Sequence, residues 1–318
     1  MSDLISYAHG IHTLDARYVR PGLAAAHAIV EHGHAVLIDT GVNASVPGML
    51  ATLAGLGVPP ERVEAVIVTH VHLDHAGAAG ALLQACPNAR LIVHPRGARH
   101  MIDPAKLVAG SIAVYGAEAF QRLYGEILPV PAERVIEAGD GYRYDFRGRV
   151  LTFIDTPGHA RHHFCIHDAK SESVFTGDTF GISYREFDVE GRPFIFPTTT
   201  PVQFEPQALH DSIDRLLALA PEAAYLTHFG RVTGLEALAG QLHDLIDEWV
   251  ALCDDLPGGD TALPQLEQAL AQSLLMRLRK HGCTLDDARC LELLANDLQL
   301  NAQGLQVWRQ QTAQGARA

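Results

Sequence analysis

Apolar residues follow two rhythms over the first 230 positions and only one after them. Ala26–Val30 and Ala35–Asp39 flank the turn Glu31-His32-Gly33 and read as a hairpin. A helix is predicted from about Pro47 to Leu56, with Ser45 as N-cap and Gly57 closing it. Ala65–Thr69 is β-branched, too short for a helix and bounded by polar residues, so it reads as a buried strand. Helix Ala78–Cys86 and strand Leu91–Val93 follow, and residues 101–128 are helical in pattern and interrupt the alternation. Strands are predicted at Tyr142–Phe146, Val150–Asp155, Phe164–His167 and Ser173–Thr176. Residues 179–205 then lose periodicity but are rich in aromatic residues and proline, the mark of a long functional loop. Helix Pro206–Leu219 and strand Ala224–Leu226 complete the mixed region. From Gly234 onward only helices are predicted, near 235–253, 263–281, 285–298 and 302–313. Pro257-Gly258-Gly259 and Gly282 punctuate them, and Thr284-x-x-Asp287 has the spacing of a capping box. The expectation is an α/β domain over residues 1–234 with a C-terminal helical region over 235–318.

The length of 318 residues suits such a two-part chain. No apolar run is long enough for a membrane span, and the first twenty residues lack the basic-then-apolar order of a secretory signal. The net charge is −13, from 24 Lys and Arg against 37 Asp and Glu, and basic residues form no run. Nucleic acid and membrane are therefore not expected partners. Five cysteines, Cys86, Cys165, Cys253, Cys283 and Cys290, are odd in number and widely spaced, which suggests reduced thiols and a cytoplasmic setting.

Histidine changes the picture, with 18 in the chain. Thr69-His70-Val71-His72-Leu73-Asp74-His75-Ala76-Gly77 begins where a buried strand ends. Residues two apart in an extended segment point to the same side, so His70 and His72 can grip one ion together. Asp74 and His75 follow in the turn that starts the next helix, and Gly77 allows close passage of the backbone. Four potential ligands within six residues are too dense for a solvated face. Three more stand at predicted strand ends: His159 in Thr156-Pro157-Gly158-His159, Asp178 after Gly177, and His228 after Thr227. Imidazole and carboxylate suit zinc, iron or manganese, and seven such groups can hold two ions with one shared carboxylate.

The ordered set H-x-H-x-D-H, P-G-H, G-D and a late H, with Ile38-Asp39-Thr40-Gly41 before it, resembles the metallo-β-lactamase superfamily over about residues 10–232. The resemblance implies a four-layer αβ/βα sandwich with the site at one edge of two sheets. It implies that His70, His72 and His159 hold one divalent ion, that Asp74, His75 and His228 hold a second, and that Asp178 bridges them. Asp39 would orient the metal loop from outside the ligand set. Zinc is the expected metal, with iron or manganese as the other choices. Ser173–Phe180 is similar to the corresponding stretch of hydroxyacylglutathione hydrolases, whereas flavo-diiron proteins carry Glu where this chain has His72.

The chemistry expected is a binuclear hydrolase acting on a small ester, thioester or lactone through a hydroxide between the metals. Asp74 would hydrogen-bond that nucleophile as well as bind metal, and Tyr184 or Tyr115 would assist the oxyanion or leaving group. Three other readings stay open. One is phosphodiester hydrolysis. Another is a mononuclear iron persulfide dioxygenase using His70, His159 and Asp178. The third is a non-catalytic metal-binding protein whose helical tail serves as a dimer or partner surface. A small-molecule substrate is expected, and self-association into a homodimer stays open. The remaining histidines invite plainer readings. His162 and His163 read as hydrogen-bonding groups before a strand, His94 and His100 as surface residues, and His9, His12, His27, His32 and His34 as sheet or turn positions. His210 is placed on a helix near a loop.

Overall fold

The computed structural model describes residues 4–199, 201–256 and 262–315. It resolves into two compact units. The first takes the chain up to Asp155, then His162–Gly177 and Ala220–Thr233. The second takes Thr156–Arg161, Asp178–Leu219 and the chain from Gly234. The sequence border at 234 thus falls beside one of these borders, and the second unit also draws in two earlier segments. The punctuating Pro257-Gly258-Gly259 lies outside the described residues.

The first unit holds two sheets. One has seven strands in sequence order: β1 (Leu4–Ser6), β2 (Ile11–Asp15), β3 (Ala25–Glu31), β4 (His34–Ile38), β5 (Val63–Ile67), β6 (Arg90–Val93) and β7 (Val135–Glu137). Pairing is antiparallel from β1 to β4 and parallel from β4 to β7. Parallel neighbours need crossovers. These are supplied by α1 (Val46–Gly55), by α2 (Leu73–Ala76) with α3 (Ala79–Ala85), and by α4 (Pro95–Ile102), α5 (Ala105–Tyr115) and α6 (Ala117–Tyr124). Pro104 and Gly116, the latter at φ +81°, cut the helical stretch expected over 101–128 into separate pieces.

The second sheet has the order β13-β12-β11-β10-β9-β8. Its strands are β8 (Arg143–Phe146), β9 (Arg149–Asp155), β10 (Phe164–Asp168), β11 (Ser173–Gly177), β12 (Ala223–Leu226) and β13 (Gly230–Val232). Only β11 and β12 pair in parallel. Ile29, Val36, Ile67 and Ile92 from the first sheet meet Phe153, Phe164, Phe175 and Tyr225 from the second in one buried cluster. Stacking these apolar faces removes both from water, which holds the sheets together. Where β9 begins beside the end of β10, Arg149 forms a buried two-pronged ion pair with Asp168.

The second unit contains α7 (Pro206–Leu217), α8 (Leu235–Asp255), α9 (Ala262–His281) and α10 (Asp287–Gly315). The two helices expected over 285–298 and 302–313 are one. Asn301 does not break the helix because its side chain, buried, accepts the Thr199 amide at 2.6 Å instead of competing for its own backbone. The cap is Asp286, whose carboxylate accepts the Arg289 N–H at 2.7 Å, so the Thr284 capping box does not form. Ser45 likewise is no side-chain cap of α1. Its hydroxyl is donated to the Ala16 carbonyl at 2.6 Å and accepts from the Val42 amide.

Candidate metal centre

In open sheets the groups that bind ligands gather beyond the carboxyl ends of parallel strands. Asp39 directly follows β4, the segment Thr69–His75 follows β5, and His228 stands two residues past β12. Asp39 is fully buried at φ +58°. Its carboxylate accepts four hydrogen bonds: from the Thr69 amide at 2.8 Å, the Thr69 hydroxyl at 3.0 Å, the Thr227 hydroxyl at 2.6 Å and His75 Nδ1 at 2.8 Å. Four donors around one carboxylate compensate the loss of water around its charge.

That anchoring decides which nitrogen each histidine offers. With Nδ1–H given to Asp39, His75 presents the lone pair of Nε2. His228 donates Nδ1–H to the Leu23 carbonyl at 2.8 Å and likewise presents Nε2. The Thr69 hydroxyl is already donated to Asp39, so at 3.2 Å it accepts from His70 Nδ1 and leaves Nε2 for a ligand. His75 Nε2 lies 3.3 Å from His228 Nε2, and Asp74 Oδ2 lies 3.4 Å from His228 Nε2 and 3.7 Å from His75 Nε2. Tetrahedral zinc with ligands at about 2.0–2.1 Å spaces them about 3.3–3.4 Å apart. Asp74, His75 and His228 therefore fit a divalent cation in both donor chemistry and spacing.

His70 and His72 stand beside this triad, with ring centroids 4.4 Å apart, and His70 is 4.1 Å from the His75 ring. His163 stacks on His70 at 4.8 Å, and His162 Nδ1 faces the Val71 amide at 3.5 Å. Gly177 lets β11 end close to this layer. At φ +47°, a Cβ there would lie 2.6 Å from both His163 Nε2 and Thr69 Oγ1.

The other two expected ligands belong to the second unit. His159 follows β9 in the chain, and Asp178 directly follows β11. His159 donates Nδ1–H to the Thr198 carbonyl at 3.2 Å, and its Nε2 lies 3.3 Å from Asp178 Oδ2. Glycine is required at 158, where φ is +128° and a Cβ would meet the Leu209 backbone at 2.4 Å.

Tyr184 is buried in the second unit with its hydroxyl donated to Asp297 at 2.9 Å, a bond that uses the proton oxyanion assistance would need. Tyr115 stands edge-on to Tyr124 at 5.8 Å. His94 is not a surface residue. It is buried, accepts the Arg96 amide as N-cap of α4, and donates to Asp155 at 3.0 Å. Its burial follows from standing directly after β6, where the strand leaves the sheet. His210 is bonded to His243 and Asp247.

Sequence reasoning missed a pair of tyrosines in the first unit. Tyr18 and Tyr124 stack at 5.9 Å with hydroxyls 2.8 Å apart. Burial first, and then the negative charge of Asp74, raises the pKa of both phenols. The residues lie 106 positions apart, so no local pattern announces them.

A profile of the metallo-β-lactamase superfamily matches residues 19–228, and the chain belongs to that family. Its two sheets with flanking helices are the metallo-β-lactamase fold, joined by a C-terminal helical region. The chain is 27% identical over 235 residues to a metallo-β-lactamase fold-containing protein, ST1585, of Sulfurisphaera tokodaii, covering 70% of this chain and 80% of that one. A solved structure of ST1585 from Sulfolobus tokodaii has a TM-score of 0.65 at 22% identity, covering 94% of this chain and 99% of that one. Hydrolases stand among the relatives. A hydroxyacylglutathione hydrolase of Stenotrophomonas maltophilia is 30% identical over 151 residues, 48% of this chain and 43% of that protein. The N-acyl homoserine lactonase AttM of Azorhizobium caulinodans is 30% identical over 152 residues, 43% of this chain and 53% of that protein. The chain thus spans about half the length of these two relatives. Among the described residues, no helix is long and apolar enough to cross a membrane.

Proposed function

We propose that this protein is a binuclear metal-dependent hydrolase of a small ester, thioester or lactone. The observation that carries the reading is the convergence of Asp74 Oδ2, His75 Nε2 and His228 Nε2, with the opposite ring nitrogens tied to Asp39 and Leu23. The proposal assigns His70, His72 and His159 to one divalent cation, Asp74, His75 and His228 to another, and Asp178 to both. Zinc suits this donor set best, with iron or manganese as alternatives. When bound, such cations lower the pKa of water and polarise a carbonyl.

The protein's own groups do the remaining work. Asp39 holds His75 in one tautomer and one orientation, so no reorganisation is needed on substrate binding. Asp74 is the most exposed member of its triad, which places its carboxylate to accept a hydrogen bond from the attacking water. The relatives named for hydrolysis of an acylglutathione and of an acyl lactone support an acyl substrate. The five described cysteines, all buried free thiols, support a cytoplasmic setting.

Metal analysis of protein purified without chelators tests the reading, joined to a panel of thioesters, lactones and phosphodiesters. About two ions per chain and acyl turnover are expected, with His72→Ala losing at least one ion and nearly all turnover. Full activity at full metal occupancy in that variant would overturn the assignment.

A further inference from the structure

Asn301 interrupts an apolar stripe. On α10, Leu294, Leu298, Ala302 and Leu305 recur three and four positions apart and are buried, and Asn301 lies among them at 1% exposure. A buried amide is costly unless its polar atoms are bonded. Its partners lie in the segment that follows Asp178: Oδ1 accepts the Thr199 N–H at 2.6 Å, and Nδ2 faces the Pro197 carbonyl at 3.5 Å. The Thr199 hydroxyl donates to the Asn301 main-chain carbonyl at 3.0 Å. Two further bonds hold the same segment to the helices. Gln241 of α8 donates to the Ile195 carbonyl at 2.7 Å, and Tyr184 donates to Asp297, one turn before Asn301, at 2.9 Å.

What these bonds fix is one peptide group. The Thr199 N–H and the Thr198 carbonyl belong to the same planar unit and point to opposite sides of it. The N–H is held by Asn301, and the carbonyl accepts Nδ1–H of His159 at 3.2 Å. A chain of hydrogen bonds therefore runs from α10 through the peptide plane to the imidazole, and its members polarise one another. His159 is fully buried. With Nδ1–H given to Thr198, its Nε2 stands 3.3 Å from Asp178 Oδ2, the spacing of two ligands on one cation. Asn301, Thr198, Thr199, His159 and Asp178 all belong to the second unit.

We propose that Asn301 is a positioning residue for His159: it fixes the peptide plane that sets the tautomer and aim of this ligand. The C-terminal helical region thereby acts on the metal centre through a side chain that touches no metal. The proposal rests on the reading of His159 as a metal ligand given above. Supporting partners of ligating histidines set metal affinity by about 10–100-fold, and Asn301, one peptide group further out, belongs at the lower end of that range.

The test is cadmium NMR of the full chain loaded with Cd2+ alone, joined to cadmium affinities from chelator competition. The parent should show two resonances. Asn301→Ala should shift one of them and weaken that ion about tenfold, leaving the other in place. Asn301→Asp, which keeps an acceptor for the Thr199 amide, should restore most of the loss. Leu305→Ala lowers the stability of the same helix and should leave both resonances unmoved. Thr199→Val removes only the hydroxyl bond and should shift the same resonance by less, which keeps the test available if Asn301→Ala does not fold. Unmoved resonances in the Asn301 and Thr199 variants, or an equal shift in Leu305→Ala, would overturn the proposal and leave the metal reading intact. A parent that binds no Cd2+ would reject the metal reading instead. The nitrogen NMR spectrum of His159 then decides the proposal: one Nδ1–H tautomer in the parent and a mixture in Asn301→Ala would support it, and the same tautomer in both would overturn it.

Discussion

Asp39→Asn isolates the role of the buried carboxylate with almost no change in shape. Asparagine tolerates the left-handed backbone at this position, so strain at φ +58° does not confuse the result. The difficulty for the amide is its hydrogens. All four groups around Asp39 are donors to it: the Thr69 amide, the hydroxyls of Thr69 and Thr227, and His75 Nδ1. If the NH2 group faces the Thr69 amide, two donors oppose each other at about 3 Å and a buried N–H loses its acceptor, costing about 1–3 kcal/mol. If it faces His75, Nδ1 must become the acceptor and the proton moves to Nε2, the atom aimed at Asp74 and His228. The first choice lowers stability, and the second removes a ligand lone pair. Removing such a supporting partner costs about 10–100-fold in metal affinity, or about 1.4–2.7 kcal/mol. Competition for zinc against a chromophoric chelator reads the affinity, and thermal unfolding of the metal-free protein reads the stability. The reasoning fails if Asp39→Asn binds zinc as tightly as the parent and unfolds at the same temperature.

Arg149→Ala should cost about 3–5 kcal/mol, because Asp168 would be left charged in a buried place, whereas the double change Arg149→Met with Asp168→Leu should cost less than the single one. Urea denaturation checks both, and equal losses would contradict the argument. The Asp168 pKa supports it: burial alone would raise it, but the bonds from Arg149 and Ser171 outweigh burial and hold it low. That contribution is present above the ordinary aspartate pKa and lost as pH falls through the depressed one. His27 gives a second acid-sensitive term. Burial lowers its pKa to about 4, while it accepts from Thr13 and donates to the Leu226 carbonyl. The unfolded chain then binds the extra proton first, so stability falls as pH drops from about 6.5 to about 4, by about 3 kcal/mol in full. Denaturant midpoints measured across that window should fall more steeply for the parent than for His27→Gln; parallel curves would refute it.

The candidate ligands were legible because they are local. His70, His72, Asp74 and His75 crowd into six positions after a β-branched strand, and the later three each close a strand signal. Strands β3 to β6 and β8 to β12 and helices α1, α3 and α7 were legible for the same reason, whereas β2 (Ile11–Asp15) was not predicted. Strands β1, β7 and β13 have three residues each, too few for any period to show. The sequence pattern divides α10 into helices near 285–298 and 302–313, whereas the helix runs through Asn301, whose side-chain partner Thr199 lies 102 positions away. Ser45 and Thr284 had the chemistry of caps, but tertiary neighbours claimed one and Asp286 replaced the other.

The sequence by itself determined which atoms are present to bind metal, the class of fold and the family to which the chain belongs. These depend on residue type and on spacing of a few positions, where the backbone leaves little freedom. Tertiary structure decided which nitrogen each histidine presents, through partners such as Asp39 and Leu23 that lie 36 and 205 positions from His75 and His228. It also brought Tyr18 against Tyr124, 106 positions further along the chain. A hydrogen bond or a packed wall is a relation between distant segments, and chain order carries no distance until the two sheets close on their shared core.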